Sequence, residues 1–281
     1  MLENPHIWHC GSFYYEQTRP LVVGILNVTP DSFSDGGLFF EPTQALRHAH
    51  AMLEAGASII EVGGESTRPG AQELVLEEEL TRVLPLVKAL VSQGACVSID
   101  SRRVQVVKAC LDEGASIIND VTGFTDPAMR QLALESKAGC VIMHMQGTPQ
   151  TMQDKPYYAD VVSEVSEFLL AQAKLLVNSG INRKRICLDV GPGFGKNHEH
   201  NLQLLKNTAH FAQLGTPPFL LMAAWSRKQF IGTITGESVA ARRVVGSVAA
   251  ALYAAQQGAG VLRVHDVGPT VEALKVLEAL R

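Results

Sequence analysis

Charged and amide side chains recur next to short apolar runs, and their types suit the binding of a heterocycle and an anion. Asp100, Asn119 and Asp189 each end or directly follow such a run. Their carboxylate and amide groups can pair with a flat ligand that is rich in N–H groups. Arg263 and His265, within and just after the last run, are residue types that bind phosphate or diphosphate. These residues predict a site for a heterocycle that carries phosphate.

Each of these residues also has a purely structural interpretation. An aspartate after a strand most often caps the next helix, and an arginine inside an apolar run predicts a buried ion pair. His265 alone is typical of a structural histidine. The functional interpretation rests on the whole set, because each of the eight apolar runs is followed by a polar group at its carboxyl end. These groups are Asn27, Glu65, Asp100, Asn119, His144, Asp189, Ser226 with Lys228, and His265.

The apolar runs alternate with longer helical patterns along the whole chain. The runs are residues 21–26, 58–62, 96–99, 116–118, 140–143, 186–188, 219–222 and 261–264. Most are unbroken, which is typical of parallel strands covered on both faces. Eight strands, each followed by a helix, predict a closed (β/α)₈ TIM barrel, an α/β fold. The alternative is an open doubly wound sheet, but no Gly-x-Gly-x-x-Gly fingerprint follows the first run.

Glycines and one aspartate predict where the helices end and begin. Asp126 and Pro127 have the types preferred at an N-cap and at the first helical position. Helix ends are predicted at Gly56, Gly94, Gly114, Gly139, Gly180 and Gly258. No linker divides the chain, so we predict one barrel domain over residues 21–281. Residues 1–20 are predicted to form an N-terminal extension that covers the barrel base.

Composition excludes several classes of partner. The 24 Lys+Arg and 28 Asp+Glu give a net charge of -4, so we expect neither nucleic acid nor an anionic membrane as a main partner. The longest nearly apolar stretch, residues 244–255, is too short to cross a bilayer. The five cysteines are odd in number and never form Cys-x-x-Cys. With no secretion signal recognisable at the start, we expect a soluble cytoplasmic protein.

A predicted helix near the carboxyl end is apolar on more than one side. It extends over residues 237–257, and after Arg243 almost every residue is apolar or small. The outer helix of a barrel buries only one face against the strands. We expect the second face to pack on another copy of the chain, which predicts a homodimer.

Eight motifs, in order along the chain, resemble those of the dihydropteroate synthase family. The two longest are GILNVTPDSFSDGG (residues 24–37) and GGESTRPG (residues 63–70). The others are residues 97–100, 117–120, 143–147, 194–196, 226–228 and 263–267. The resemblance implies an enzyme of folate biosynthesis that is the target of sulfonamides. This transferase condenses 6-hydroxymethyl-7,8-dihydropterin diphosphate with p-aminobenzoate, giving 7,8-dihydropteroate and pyrophosphate.

The resemblance also implies a role for each matching residue. The pterin would be held by Asp100, Asn119, Asp189 and Lys228. Asn27 would help to hold a Mg²⁺ ion that also binds the diphosphate.

The leaving diphosphate would be bound by Thr67, Arg68, Arg263 and His265. Among all these residues, Asp100, Asp189, Lys228 and Arg263 would act directly on the reacting groups.

The p-aminobenzoate would be surrounded by Phe33, Pro69, Phe194, Ser226 and Lys228. In the family, the loops after the first two strands fold over to form that pocket.

Two positions depart from the family pattern, and three alternatives stay open. Ala224 occupies a position where the family usually has glycine, and residues 189–196 read DVGPGFGK instead of DPGFGFGK. A catalytically silent pterin-binding paralogue and a pterin-dependent methyltransferase are the first two alternatives. A methyltransferase needs no diphosphate cradle, so Arg68 and Arg263 argue against it. The third is a Schiff-base aldolase that uses Lys228, whose cationic neighbour Arg227 suits anion binding better.

Overall fold

Eight parallel strands close into a barrel in this computed structural model, which describes residues 7–28, 42–66 and 74–280. The barrel order is β3 to β10, and β10 pairs with both β9 and β3 to complete the closure. The predicted TIM barrel is therefore confirmed, and all eight predicted runs are strands. The strands are β1 (Ile7–Cys10), β2 (Phe13–Glu16), β3 (Leu21–Asn27), β4 (Ile59–Gly63), β5 (Val97–Asp100), β6 (Ile117–Asp120), β7 (Gly139–Met143), β8 (Ile186–Asp189), β9 (Leu220–Ala223) and β10 (Val261–Val264).

Helices surround the barrel and cover the outer face of its strands. They are α1 (Pro42–Glu54), α2 (Leu76–Ser92), α3 (Val104–Asp112), α4 (Pro127–Glu135), α5 (Val161–Asn178), α6 (His198–Lys206), α7 (Thr208–Phe211), α8 (Gln229–Thr235), α9 (Val244–Gln256) and α10 (Val267–Ala279). Along β3, Val22 packs toward the helices and Val23 toward the barrel interior. Burial on both faces explains why the strands are unbroken apolar runs. Of the helices described, none is long and apolar enough to cross a lipid bilayer.

Five of the six predicted helix ends are confirmed. Gly56, for example, has a φ of 103° just after α1, a left-handed conformation that glycine adopts without strain. The end predicted at Gly139 is wrong. The helix α4 ends at Glu135 because Ser136 is already extended, and Gly139 begins β7. A Cβ at Gly139 would lie 3.0 Å from the Cys10 Sγ, so glycine serves close packing there.

The apolar helix predicted over residues 237–257 begins later than expected, at Val244. The guanidinium of Arg243 donates to the main-chain carbonyls of Glu237 and Ser238 at 2.9 and 2.7 Å. These carbonyls are therefore bound to a side chain instead of helical N–H groups. Only the short 3₁₀ turn Ala240–Arg242 precedes α9.

A β-hairpin made of β1 and β2 lies against the amino ends of the barrel strands. Trp8 is 2% exposed, and its indole N–H donates to the Arg185 carbonyl at 3.0 Å. The Tyr15 hydroxyl donates to the Ser58 carbonyl at 3.0 Å. An apolar cluster fills the space between hairpin and barrel: Trp8, Cys10, Leu21, Val23, Ile59, Cys96, Ile117, Val141, Cys187, Leu220, Met222 and Val261. The division of the chain at residues 20 and 21 stays a prediction.

Candidate active site

Strand register places four polar or small residues in one row at the carboxyl end of the barrel. Asn27 of β3 pairs with Gly63 of β4, which pairs with Asp100 of β5. Asp100 in turn pairs with Asn119 of β6. Parallel strands in register bring residues that are distant in sequence to one rim. Three of the predicted site residues are therefore neighbours around the same mouth.

A small pocket opens at this rim, and ten of the described residues line it. It brings together six of the predicted residues: Asp100, Asn119, Asp189, Phe194, Lys228 and Arg263. The remaining lining residues are Val121, Met143, Pro192 and Ala224. The lining combines polar and apolar groups, which suits a heteroaromatic ring.

Arg263 lies inside the barrel mouth between two carboxylates. Its Nη2 donates to Asp100 Oδ2 at 2.8 Å, and its Nε donates to Glu61 Oε1 at 2.5 Å. Burial alone would lower the pKa of Arg263, but the Glu61 and Asp100 carboxylates raise it, so the guanidinium stays charged. The structural interpretation of Arg263 as an ion-pair partner is therefore correct. It coexists with a place in the pocket lining.

Glu61 is a site residue that the sequence analysis missed. Its side chain is 1% exposed, and besides Arg263 it accepts a hydrogen bond from Asn119 Nδ2 at 2.8 Å. Ser98 Oγ donates to it at 3.3 Å. A glutamate in the apolar run Ile59–Gly63 is a signal of the same kind as Arg263, since a buried charge needs a partner. Glu61 therefore links Arg263 to Asn119 through hydrogen bonds.

Two buried oxygens of the pocket have no hydrogen-bond partner. They are Asp100 Oδ1 and Asn119 Oδ1. Burial first, and then the neighbouring Glu61 carboxylate, raise the pKa of Asp100 to about 7, although Arg263 counteracts them. An unpaired buried acceptor costs stability, so these two atoms indicate a ligand that donates N–H groups.

Asp189 ends β8 and is held by the glycine-rich turn that follows it. Its Oδ1 accepts a hydrogen bond from the Gly191 N–H at 2.8 Å. Burial raises the pKa of Asp189, while this hydrogen bond and nearby cations act to lower it. Gly191 has a φ of 63°, and a Cβ there would lie 2.0 Å from the His144 carbonyl oxygen. Only glycine permits the turn that fixes the carboxylate.

Lys228 and Phe194 form one wall of the pocket. The Lys228 Nζ lies 4.7 Å from the centroid of the Phe194 ring, a cation–π geometry. Gly193 lies beside the same lysine and has a φ of 83°, a left-handed conformation that favours glycine. An aromatic face beside a cation suits a flat ring and an anionic substituent.

Ser226 and His265 lie next to the pocket and bind each other. The Ser226 Oγ lies 3.0 Å from His265 Nδ1, and it accepts from the His265 main-chain N–H at 3.1 Å. Between Ser226 and Lys228, Arg227 has a φ of 58° and pairs with Asp266 at 2.6 Å. The ion pair between Arg227 and Asp266 fixes the turn that carries Ser226 and Lys228. His265 follows Arg263 by two residues, so both lie at one side of the mouth.

Four predicted site residues lie outside the described residues: Phe33, Thr67, Pro69 and Arg68. At the end of the described range 42–66, Glu65, which the sequence analysis gave as the polar group after the second run, is held by partners that the analysis missed. Glu65 Oε1 accepts from the Leu74 N–H at 3.1 Å and from Arg103 Nη2 at 3.1 Å. Arg103 also pairs with the buried Glu79. Nothing in the sequence pattern connects these residues, because they come from three different elements.

Asn27 could contribute to a cation site at the end of β3. Its side chain is half-buried, and a Cβ at Gly63 would lie 3.6 Å from both Asn27 Oδ1 and Asp100 Cβ. The glycine thus leaves open space between the amide oxygen and the carboxylate. Within the described ranges, no three His, Cys, Asp or Glu side chains are arranged to hold a metal ion. The protein offers Asn27 Oδ1 as one hard oxygen donor.

Comparison with known proteins gives a consistent result. A profile of the family described as pterin binding enzyme matches residues 23–265. The dihydropteroate synthase of Neisseria meningitidis serogroup B is 46% identical over 281 aligned residues, covering 98% of each chain. A Burkholderia cenocepacia dihydropteroate synthase complexed with 7,8-dihydropteroate has a TM-score of 0.90 at 42% identity, covering 99% of this chain and 97% of that one. A Yersinia pestis dihydropteroate synthase with a sulfonamide drug has a TM-score of 0.91 at 42% identity, covering 98% and 99%.

The barrel, its polar mouth and the matching profile define the class as that of the pterin binding enzymes. Similarity over nearly the full length of both the relatives and the solved structures goes further. The chain belongs to the dihydropteroate synthase family, whose members are transferases.

Proposed function

We propose that this chain joins the pterin methylene carbon of 6-hydroxymethyl-7,8-dihydropterin diphosphate to the amine of p-aminobenzoate and releases pyrophosphate. The observation that carries this proposal is the pair of buried, unpartnered oxygens Asp100 Oδ1 and Asn119 Oδ1. They lie in one pocket with Asp189 and two cations, Lys228 and Arg263. This combination has acceptors for pterin N–H groups and positive charge for the diphosphate.

The pterin binds on the polar side of the pocket. Asp189 and Asn119 accept from ring N–H groups, and Lys228 donates to a ring acceptor. Hydrogen bonds to charged groups contribute about 1.5–3 kcal/mol each. Asp100, whose Oδ1 is unpartnered, lies close enough to stabilise positive charge that develops as the leaving group departs.

The diphosphate binds on the arginine side. Arg263 is already fixed by Glu61 and Asp100, so it needs little reorganisation when negative charge grows on the leaving group. His265 lies two residues further on, and Thr67 and Arg68 complete the set. The carbon–oxygen bond to the diphosphate breaks with its electron pair on oxygen. The amine nitrogen then forms the new bond to carbon and loses one of its protons to the solvent.

The p-aminobenzoate lies against Phe194, Lys228 and Ser226, and Phe33 and Pro69 complete its surroundings. An arylamine is a modest nucleophile that needs orientation more than deprotonation. The aromatic face of Phe194 orients the ring, and the Lys228 ammonium, 4.7 Å from that face, attracts its carboxylate. The sulfonamide bound to the Yersinia pestis relative suggests that sulfonamides occupy the same place here.

Mg²⁺ is proposed as the cofactor, held by Asn27. Mg²⁺ prefers oxygen ligands and keeps several waters and substrate phosphates in its shell. One amide oxygen beside the open space at Gly63 suits that mode of binding. When bound, the ion supplies positive charge next to the diphosphate. Asn27 orients its Oδ1 toward the rim, where the leaving group lies.

Pyrophosphate release measured with and without p-aminobenzoate tests the function. We expect release that depends on the amine and falls strongly in a chelator of divalent cations. Pterin binding without amine-dependent release would indicate a silent paralogue. Methyl transfer without pyrophosphate release would indicate a methyltransferase. Full turnover in chelator would remove Asn27 and Mg²⁺ from the proposal.

We further propose a homodimer formed through α9 and α10. A groove of ≈ 330 Å³ between these helices is lined by Val244, Val245, Val248, Pro269, Glu272 and Ala273. Val245 is 83% exposed, and Val276 and Leu280 are exposed nearby. An apolar patch of this kind marks an interaction surface. Light scattering at micromolar concentration is expected to give the dimer mass, and Val245→Lys is expected to give the monomer mass.

The cytoplasm is the proposed location. The five cysteines are free, and all are buried, which suits a compartment that keeps thiols reduced. Cell fractionation with a periplasmic marker would test this location.

A further inference from the structure

Lys196 is a buried lysine to which the proposed reaction gives no role. Its side chain lies behind the Phe194 wall, and the residue is 2% exposed. The Nζ lies 2.9 Å from His144 Nδ1, and it donates to the carbonyls of His144 and Phe194 at 3.2 and 3.0 Å. An ammonium has three N–H donors, so these three acceptors satisfy the charged form completely.

His144 is suited to accept that hydrogen bond. Burial and the nearby Lys196 lower the pKa of His144 to about 3, so its imidazole is neutral and has one nitrogen free of a proton. The ring packs edge-on against Phe168, with centroids 5.0 Å apart. His144 therefore gives Lys196 a fixed acceptor at the end of β7.

The segment that Lys196 secures carries two proposed substrate contacts. Residues 189–196 begin with Asp189 and include Phe194. Other side chains fix the middle of this segment: Asn201 Oδ1 accepts from the Gly193 N–H at 2.8 Å, and the Tyr158 hydroxyl donates to the Gly195 carbonyl at 2.9 Å. Lys196 fixes its end by joining the Phe194 main chain to the neighbouring strand.

Lys196 also contributes charge to the pocket. Burial, and to a smaller extent the neighbouring Lys228, lower the pKa of Lys196 to about 7, although Asp189 opposes them. In return, Lys196 acts with Arg263 and Lys228 to lower the raised pKa of Asp189. The other titratable groups near the lysine are His144 and His200. Removing the ammonium would therefore favour the protonated form of Asp189.

We propose that Lys196 is a positioning residue that sets the Phe194 wall and keeps the Asp189 carboxylate in the form that accepts from the pterin. This role rests on the proposed function. Lys196 touches neither substrate, and it acts through the two residues that do.

The variant Lys196→Met keeps the length of the side chain and removes its charge and donors. We expect pterin affinity, measured by calorimetry at pH 7, to fall about tenfold or more, because a buried hydrogen-bond network is broken. We expect the KM for p-aminobenzoate to rise as Phe194 shifts. The pH below which pterin affinity is lost should move upward, by up to about one unit, because Asp189 takes up its proton more readily.

The matched control is Lys184→Met, at the opposite end of the barrel, where the lysine is exposed. It is expected to match the wild type in affinity, KM and pH profile. If Lys196→Met lowers only the melting temperature and leaves the affinity and the acid limb unchanged, the lysine is merely structural and the proposal is wrong. A wild type that fails to bind the pterin would instead contradict the proposed function.

If Lys196→Met does not fold, two variants at His144 test the same proposal. His144→Asn retains an oxygen acceptor in the place of Nδ1, whereas His144→Leu has none. Both lose the imidazole packing against Phe168, so packing is matched between them. We expect His144→Leu to raise the KM for p-aminobenzoate and shift the acid limb, and His144→Asn to restore both toward the wild type. Equal effects of the two variants would overturn the proposal.

Discussion

The two ends of this barrel are built on opposite principles. At the amino end, the β1–β2 hairpin covers an apolar cluster in which Trp8 is 2% exposed. At the carboxyl end, buried charges face one another, and Asp100 Oδ1 and Asn119 Oδ1 have no partner. The same eight strands provide both ends.

The difference shows how one fold separates stability from binding. Closed apolar packing lowers the free energy of the native state, and it leaves no unpaired polar group to which a ligand could bind. Unpaired buried acceptors and raised carboxylate pKa values, as at Asp100 and Asp189, cost stability in the free protein and are satisfied by a ligand. Substitutions at the amino end should therefore lower the free energy of unfolding, whereas substitutions at the carboxyl end should lower ligand affinity.

The largest expected effect is at the amino end. Trp8→Ala removes a fully packed indole and its hydrogen bond to Arg185. We expect the free energy of unfolding to fall by about 3–5 kcal/mol, with unchanged pterin affinity at a temperature where the variant is folded. Tyr14→Ala on the same hairpin is the control, because Tyr14 is 66% exposed. A large loss of pterin affinity in Trp8→Ala would contradict the separation of stability and binding between the two ends of the barrel.

At the carboxyl end, Arg263→Met should weaken binding of the pterin diphosphate about 100-fold, since charge-assisted hydrogen bonds are lost. A pterin that lacks the diphosphate should lose much less affinity, because its ring contacts remain. Calorimetry with both ligands measures the difference. Equal losses would contradict the assignment of Arg263 to the leaving group.

Protonation gives a smaller and graded effect. The pKa of Asp100 is raised to about 7, so this carboxylate takes up a proton as the pH falls through that value. We expect pterin affinity to decrease below pH 7 by up to about tenfold per pH unit, the limit for competition with one proton. Titrations between pH 5 and 8 should show this slope, and a flat profile over that range would exclude ionised Asp100 from binding.

The smallest expected effect is at the family departure. Ala224 lines the pocket, and Trp225 beside it is buried against Phe230, with ring centroids 5.5 Å apart. The extra methyl group is already accommodated in a packed wall. Ala224→Gly should therefore change pterin affinity by less than about threefold. A gain of tenfold or more would show that the methyl group crowds the ligand.

The sequence predicted the barrel well because burial on two faces leaves a direct pattern. Unbroken apolar runs located all eight barrel strands, and polar residues at their ends located Asp100, Asn119 and Asp189. Polar residues after the seventh run also located Lys228, whereas resemblance, rather than pattern, supplied Phe194. Helix boundaries were less predictable where a tertiary contact decides them, as at Gly139 against Cys10 and at Arg243 ahead of α9.

The sequence analysis missed Glu61 and gave no partners for Glu65 and Lys196, for one physical reason. All three act through partners that are distant in the sequence. Glu61 reaches Arg263 across the closure of the barrel, and Lys196 reaches His144 just after the end of β7. A charged residue in an apolar run indicates that it needs a partner, but the sequence alone does not identify that partner.

One pair of variants on β8 tests the central claim most directly. Asp189 and Cys187 lie two residues apart on the same strand, at its carboxyl end and in the amino-end apolar cluster. Asp189→Asn should bind the pterin about 100-fold more weakly. Its unfolding free energy at pH 7 should be equal or higher, because burial raises the pKa of Asp189 and so penalises its charged form. Cys187→Ala should lose about 1–2 kcal/mol of stability and keep its affinity. Wild-type affinity in Asp189→Asn, or an equal loss of affinity in both variants, would contradict the division between the two ends.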